Sequence, residues 1–398
     1  MADTFSDSPS DAIPTASHAA RTDEAPFTDP RQRRFAALRG CDRLLSGVRP
    51  QNLRERLASL TTDAESAYDL DERPDMYGDG VVRALEKRVA ELLGKPDAAF
   101  FPTGTMAQQV ALRYWSSEHR TVAMHPLAHP ERHEQRAYSR LTGLQSVWPT
   151  TAPRLPTAEE VRGVVDDYDV LMLELPLRDA GFVLPTWDEL TGTVAAANDA
   201  GAVVHLDGAR LWESVHHLGH SLPEIAGLAD SVYVSFYKTL GGISGAAVAG
   251  DEHFVREAKL WRHRYGGQLW QQWPAALTAL AGLNRELPRL EEYVRHAKVV
   301  AETLAAVPGA RINPEPPHTH QFQLWLPYPA DALNEAGLRL AEEQQTALFG
   351  WWDEPGLPGL SYTEVTVAAA ALEWTPKEIA DAMTSFLALL QERADVLG

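Results

Sequence analysis

The chain has 398 residues, 44% hydrophobic and 23% charged, enough for one large α/β domain with a smaller one beside it. A formal net charge of -19 argues against a nucleic-acid partner, which needs clustered Lys and Arg, and against a polybasic membrane anchor. The single cysteine, Cys41, excludes an internal disulfide and a cysteine-rich zinc site, and suits a reducing, cytoplasmic setting.

Residues 1–33 are rich in Ser, Asp, Ala and Pro and lack the apolar core of a signal peptide, so a disordered lead-in is expected there. No apolar run approaches the ~20 residues that cross a bilayer. From Tyr77 on, helical and strand-like segments alternate, the pattern of an α/β domain with a mainly parallel sheet. In VVRALEKRVAELLGK, Val82, Leu85, Val89 and Leu92 share one helical stripe, and Gly94 is placed to end the helix. A short apolar strand, AAFF, leads through PTGT into a helix, MAQQVALRYW. Thr105 and Gln108 have the spacing of a capping box at its start.

Buried strands are expected at 169–175, 202–207 and 231–236. Helical stretches over 284–306 precede a Pro-rich break and a strand-like FQLWL. Thr375, Pro376 and Glu378 form the start of a last helix whose apolar face carries Ile379, Met383, Phe386 and Leu390. The expected division is a large domain over 34–280 and a small C-terminal α/β domain over 281–398.

Three segments carry chemistry. The strand VVHLD ends in Asp207, and open α/β sheets bind ligands beyond the carboxyl ends of their strands. A carboxylate there can pair with a protonated ring nitrogen, as pyridoxal phosphate requires of its protein. Gly208 permits a close turn, and Arg210 can reach an oxygen anion. Next along the chain, SVYVSFYKTLGG delivers Lys238 between a strand and a glycine-rich turn, where a desolvated amine can form an imine with an aldehyde cofactor. Upstream of both, Thr103, Gly104 and Thr105 lie where a strand becomes a helix, so their N–H and hydroxyl groups can cradle a phosphate. No G-x-G-x-x-G or Walker A pattern competes with this reading.

The segments MYGDG, FPTGTMAQQVAL, VVHLDGARLWES, the Lys238 strand and AKLWRHRYGG occur in the order found in the threonine aldolase/β-eliminating lyase family, which the chain resembles over residues 75 to 275. The resemblance implies an aspartate-aminotransferase-like fold (fold type I), a large domain with a mainly parallel sheet plus a smaller C-terminal α/β domain. It implies pyridoxal 5'-phosphate as cofactor, held by Lys238 as a Schiff base. Asp207 then meets the pyridine nitrogen, Arg210 the phenolic oxygen or a substrate carboxylate, Thr103, Gly104 and Thr105 the phosphate, and His129 stacks on the ring as a catalytic residue beside Lys238. No metal is expected. The partners implied are an amino-acid substrate and further copies of the chain, as a homodimer or homotetramer with shared active sites.

The sequence departs from that family where substrate is recognised. Leu177 stands where the aldolases carry a histidine that handles the substrate hydroxyl, so His125 or a histidine of 129–133 is the expected substitute. Trp270 occupies the place of an Arg, and Val367 that of the Arg that grips the substrate carboxylate. The Arg-Ser-Asp-Thr opening finds its nearest stretch at Arg39–Asp42. Trp270 and Trp273 can line a pocket for a bulky substrate or serve as core or interface residues, and His318 and His320 can face the active site, with a structural role preferred. The expected reaction is cleavage of a β-hydroxy-α-amino acid to glycine and an aldehyde. A different pyridoxal-phosphate reaction on a bulky amino acid or amine, and an inactive cofactor-binding homologue, are the alternatives.

Overall fold

The computed structural model of the chain describes residues 29–397. Its first helix, Pro30–Gly40, begins inside the stretch expected to lack structure, because the Asp29 carboxylate accepts the Arg31 N–H and Pro30 suits a first turn. Residues 1–28 of that expectation lie outside the described residues.

A seven-stranded sheet forms the centre. Its strands are β1 (Asp97–Phe101), β2 (Thr121–Ala123), β3 (Gln145–Val147), β4 (Val170–Glu174), β5 (Val203–Gly208), β6 (Ser231–Ser235) and β7 (Ala246–Gly250), in the order β1-β7-β6-β5-β4-β2-β3. β2 to β6 run parallel, and β7 lies antiparallel between β6 and β1. β4, β6 and β7 are buried at every residue, which is why they read as unbroken apolar runs rather than alternating ones.

Helices cover both faces. The helix Gly80–Leu93 buries Val82, Leu85 and Val89 as expected, with Leu93 rather than Leu92 completing the stripe, and Gly94 ends it in the left-handed conformation (φ 62°). Beyond the helices Trp273–Glu286 and Leu290–Ala305 lies a second, antiparallel sheet, formed by β8 (Arg311–Asn313), β9 (Gln321–Leu326), β10 (Trp352–Asp353) and β11 (Ser361–Thr366) in the order β10-β11-β9-β8. The last helix starts at the expected box: Thr375 Oγ1 accepts the Glu378 N–H and Glu378 accepts the Thr375 N–H.

Among the described residues, the first strand belongs to neither sheet but forms a separate two-stranded one with a C-terminal segment. Arg43–Leu44 pair in parallel with Thr346–Ala347, and the Gly47 N–H donates to the Thr366 carbonyl at 2.8 Å. The segment that follows, 47–53, is thereby laid along the junction of the two sheets.

Candidate active site

Three neighbouring strands bring polar side chains to one edge. Glu174 is the register partner of Asp207, and Asp207 that of Tyr233, so β4, β5 and β6 place all three on the same face at their carboxyl ends. The chain then turns after β6, with the Gly241 N–H closing on the Lys238 carbonyl and the Gly242 N–H on that of Phe236. That turn sets Lys238 on the wall of a 780 Å³ cavity shared with Arg210, His320 and the 47–53 segment.

The charges at this edge are strongly perturbed. Burial pushes the Asp207 carboxyl up and Lys238 opposes the shift; Oδ1 accepts the Ala209 N–H, while Oδ2 has no partner. Burial, then the Asp207 charge, raises Glu174 to about 8; its two oxygens accept the His129 and Arg178 N–H groups. Burial and the Arg210 charge lower the Lys238 amine, favouring the neutral nucleophile. Arg210 itself is half-buried over the Phe182 ring, with no partner for Nε and no carboxylate at ion-pair distance among the described residues. One helical turn on, Glu213 is raised to about 7 by burial, and its Oε1 accepts the hydroxyl of Thr239, the residue after Lys238.

The turn at 103–105 caps differently from the expectation. Thr103, not Thr105, is the N-cap of the helix Gly104–Trp115, its hydroxyl accepting the Met106 N–H at 3.2 Å. On the same helix Gln109 Nε2 donates to the Glu134 carboxyl at 3.4 Å, and burial and the Asp207 charge raise that carboxyl to about 7. Gly104 is required by contact: a Cβ there would lie 2.2 Å from the Tyr233 hydroxyl. The helix N-terminus therefore lies against Tyr233, the register partner of Asp207.

Other expected positions are resolved by packing. Leu177 is 1% exposed and pairs its backbone with Val183, so that place holds no polar group. His125 does not replace it: one ring nitrogen accepts the Leu127 N–H and the other bonds the Ala152 carbonyl. His133 is paired with Asp179 at 2.8 Å. His129 is lowered to about 3 by burial and by Lys238, and so comes to the site as a neutral ring. Val367 is fully buried, while Thr366 and Ala368 on either side line the cavity. Neither Trp270 nor Trp273 lines it; Trp270 is 56% exposed against the Tyr77 ring, and Trp273 packs on the core. The cavity segment from the chain's start is 47–53, not Arg39–Asp42.

Sequence reasoning passed over Glu134, Glu213 and Tyr233, and preferred a structural role for His320. The signals were present: a carboxylate one turn after Arg210, and a tyrosine in register with Asp207 once the strands are aligned.

The beta-eliminating lyase family matches residues 51–325, more than half of the chain. The chain belongs to the beta-eliminating lyase family. Low-specificity L-threonine aldolase 1 of Arabidopsis thaliana is 27% identical over 285 residues, covering 67% of this chain and 78% of that protein. The low specificity L-threonine aldolase of Escherichia coli K12 is 30% identical over 58% of this chain and 71% of its own. Among solved structures, a candidate L-allo-threonine aldolase from Listeria monocytogenes superposes with a TM-score of 0.81 at 34% identity, covering 91% of this chain and 99% of that one. A candidate aromatic amino acid beta-eliminating lyase/threonine aldolase from Exiguobacterium gives 0.81 at 36% identity, over 90% and 99%.

This beta-eliminating lyase family member is a pyridoxal-phosphate-dependent lyase of the threonine-aldolase kind, with the fold-type-I architecture. The residues fit the cofactor. Asp207 Oδ2 is a buried acceptor with no donor, matching a protonated ring nitrogen, and the helix N-terminus beside Gly104 matches a phosphate. Among the described residues no helix is long and apolar enough to cross a membrane.

Proposed function

We propose that the protein cleaves the Cα–Cβ bond of a β-hydroxy-α-amino acid, releasing glycine and an aldehyde, with Lys238 as the residue that carries the cofactor. The observation behind this reading is the convergence of Lys238 and Arg210, neither ion-paired with a carboxylate among the described residues, on one cavity, with the Asp207 charge acting on Lys238.

Bound pyridoxal phosphate supplies an electron sink for a bond to the substrate Cα. Around it, Asp207 would hold the proton on the ring nitrogen, Thr103, Gly104 and Thr105 would take the phosphate, and His129 would lie against the ring. Arg210 is the seat for the substrate carboxylate, because a partly buried guanidinium with no carboxylate at ion-pair distance among the described residues can take an anion. Lys238, whose amine burial shifts down, would hold the cofactor between turnovers and would deliver a proton to the substrate Cα as glycine forms.

The test is direct: the cofactor-loaded protein is incubated with L-threonine, L-allo-threonine and phenylserine, and glycine and aldehyde are assayed. Cleavage that disappears in Lys238→Ala is the expected result; no turnover of any of the three overturns the reading. A second reaction type, β-elimination or transamination of an unusual amino acid, is favoured by one feature. Val367 puts an apolar side chain where the aldolases hold the carboxylate. Shifts of the visible cofactor band across an amino-acid and amine panel, with product analysis, distinguish the two.

The assembly we infer is a homodimer or homotetramer with shared sites. The exposed apolar residues Met76, Tyr77, Leu269 and Trp270 form a patch through the edge contact of Tyr77 with Trp270, and mass determination in solution tests it. A buried, free Cys41 supports a reducing, cytoplasmic setting. The division at about residue 280 into a cofactor domain and a C-terminal domain is likewise our reading, with 29–47 joined to the second.

A further inference from the structure

We propose that His320 accepts the β-hydroxyl proton of the substrate, the role that Leu177 leaves open; this rests on the cleavage reaction proposed above.

His320 sits immediately before β9, its carbonyl accepting the Val367 N–H at 2.9 Å, so the backbone is pinned between β9 and β11. Its side chain is 2% exposed yet lines the same cavity as Lys238 and Arg210. Nδ1 has no hydrogen-bond partner among the described residues, an expensive state for a buried nitrogen. The next residue is fixed as well: Gln321 Nε2 donates to Thr366 Oγ1 at 2.9 Å, which steadies the strand end that carries the imidazole.

The other histidines near this edge are engaged elsewhere. Both nitrogens of His125 are bonded, and His133 holds Asp179. His205 bridges Ser231 and Gln108 beneath the sheet edge. His318 accepts the Leu184 N–H and lies 3.9 Å from the His217 ring. His129 belongs to the cofactor ring in the reading above. The imidazole left with an unpartnered nitrogen on the cavity wall is His320.

Electrostatics make its basicity conditional on substrate. Burial first, then the Arg210 charge, then His216 hold the ring neutral, at about 3. A substrate carboxylate seated on Arg210 cancels the second of these causes, so the imidazole gains proton affinity when the substrate is bound. The balance is complete within the reaction. The O–H bond breaks toward His320 and its electron pair becomes the second C–O bond of the aldehyde. The Cα–Cβ pair remains on Cα and takes up a proton, so none is consumed overall.

The experiment uses the cofactor-loaded full chain with His320→Asn and His320→Gln. Three quantities are read: kcat and KM for L-threonine and phenylserine cleavage, hydrogen–deuterium exchange at the glycine Cα, and cofactor affinity by titration. Glycine exchange needs the cofactor, Lys238 and Arg210 but has no β-hydroxyl. The expected result is a kcat for cleavage lowered by ~10²–10⁴-fold with glycine exchange and cofactor affinity unchanged. Equal losses in cleavage and exchange, or no loss in either, overturn the proposal. A wild-type protein that exchanges glycine but cleaves neither substrate overturns the reaction itself and His320's role with it, a result told apart by appearing before any variant is made.

Discussion

Glu174 and Asp207 are register partners on adjacent parallel strands, two buried carboxyls at the same sheet edge, and each is pushed up in part by the burial they share. They are not equivalent. Glu174 accepts two backbone N–H groups and braces the His129 loop, whereas Asp207 keeps one oxygen without a partner. Asp207→Asn should therefore leave the fold intact and weaken cofactor binding by roughly 10–100-fold, the value of one charge-assisted hydrogen bond. Titration of the apo variant with pyridoxal phosphate, followed by absorbance, checks it. Unchanged affinity would remove Asp207 from the cofactor.

Gly104→Ala places a methyl against the Tyr233 hydroxyl, with the ring carbon behind it at 3.1 Å. Overpacking of this kind costs about 1–3 kcal/mol, read as a lowered midpoint in denaturant. Adding Tyr233→Phe should restore part of that loss, because the nearest clashing atom is gone while the ring stays. No recovery would place the strain elsewhere.

Glu134 gives a pH signature. Its carboxyl is held at about 7 in the folded chain, above the ordinary value of 4.5, so the unfolded state releases this proton first as pH rises. The group therefore withdraws stability progressively between pH 4.5 and about 7. Glu134→Gln lacks that loss, so the stability of the apo variant relative to wild type should climb across this window and level off above it. Parallel melting curves at stepped pH test the sign; a flat difference defeats it.

Leu177→His would return the residue type the aldolases carry, but into a site that is 1% exposed and clasped to Val183. We expect about 1–3 kcal/mol of destabilisation from a buried, unpartnered imidazole, with no gain in cleavage of β-hydroxy amino acids. A stable variant with raised kcat would show that this strand end is adaptable.

Much of the scaffold was legible because its signals are local. Apolar runs mark β4, β5 and β6, Gly94 marks a helix end, and Thr375 with Glu378 marks a helix start. The cofactor-facing residues were legible because motifs place them at strand and helix ends. The cap at Thr103 was misjudged by two positions, since Thr103 and Thr105 offer the same hydroxyl and only the backbone decides between them. Hidden from local patterns were the residues that become neighbours through sheet register or through the second sheet. Tyr233 meets Asp207 by strand alignment, and His320 shares a cavity with Lys238 because β9 begins at the junction. Likewise, Trp270 looked like a pocket wall, and its exposure beside Tyr77 depends on a contact between distant segments.

The pairing of Arg43–Leu44 with Thr346–Ala347 also sets an order of events during synthesis. Those partners are separated by about 300 residues, which a ribosome adding 5–20 residues per second takes roughly 15–60 s to make. The wall of the cavity formed by 47–53 follows directly on that pairing, so the nascent chain can close its central sheet well before it owns a finished pocket. Competence to hold substrate thus waits on residues made about 300 positions after the segment that lines the pocket.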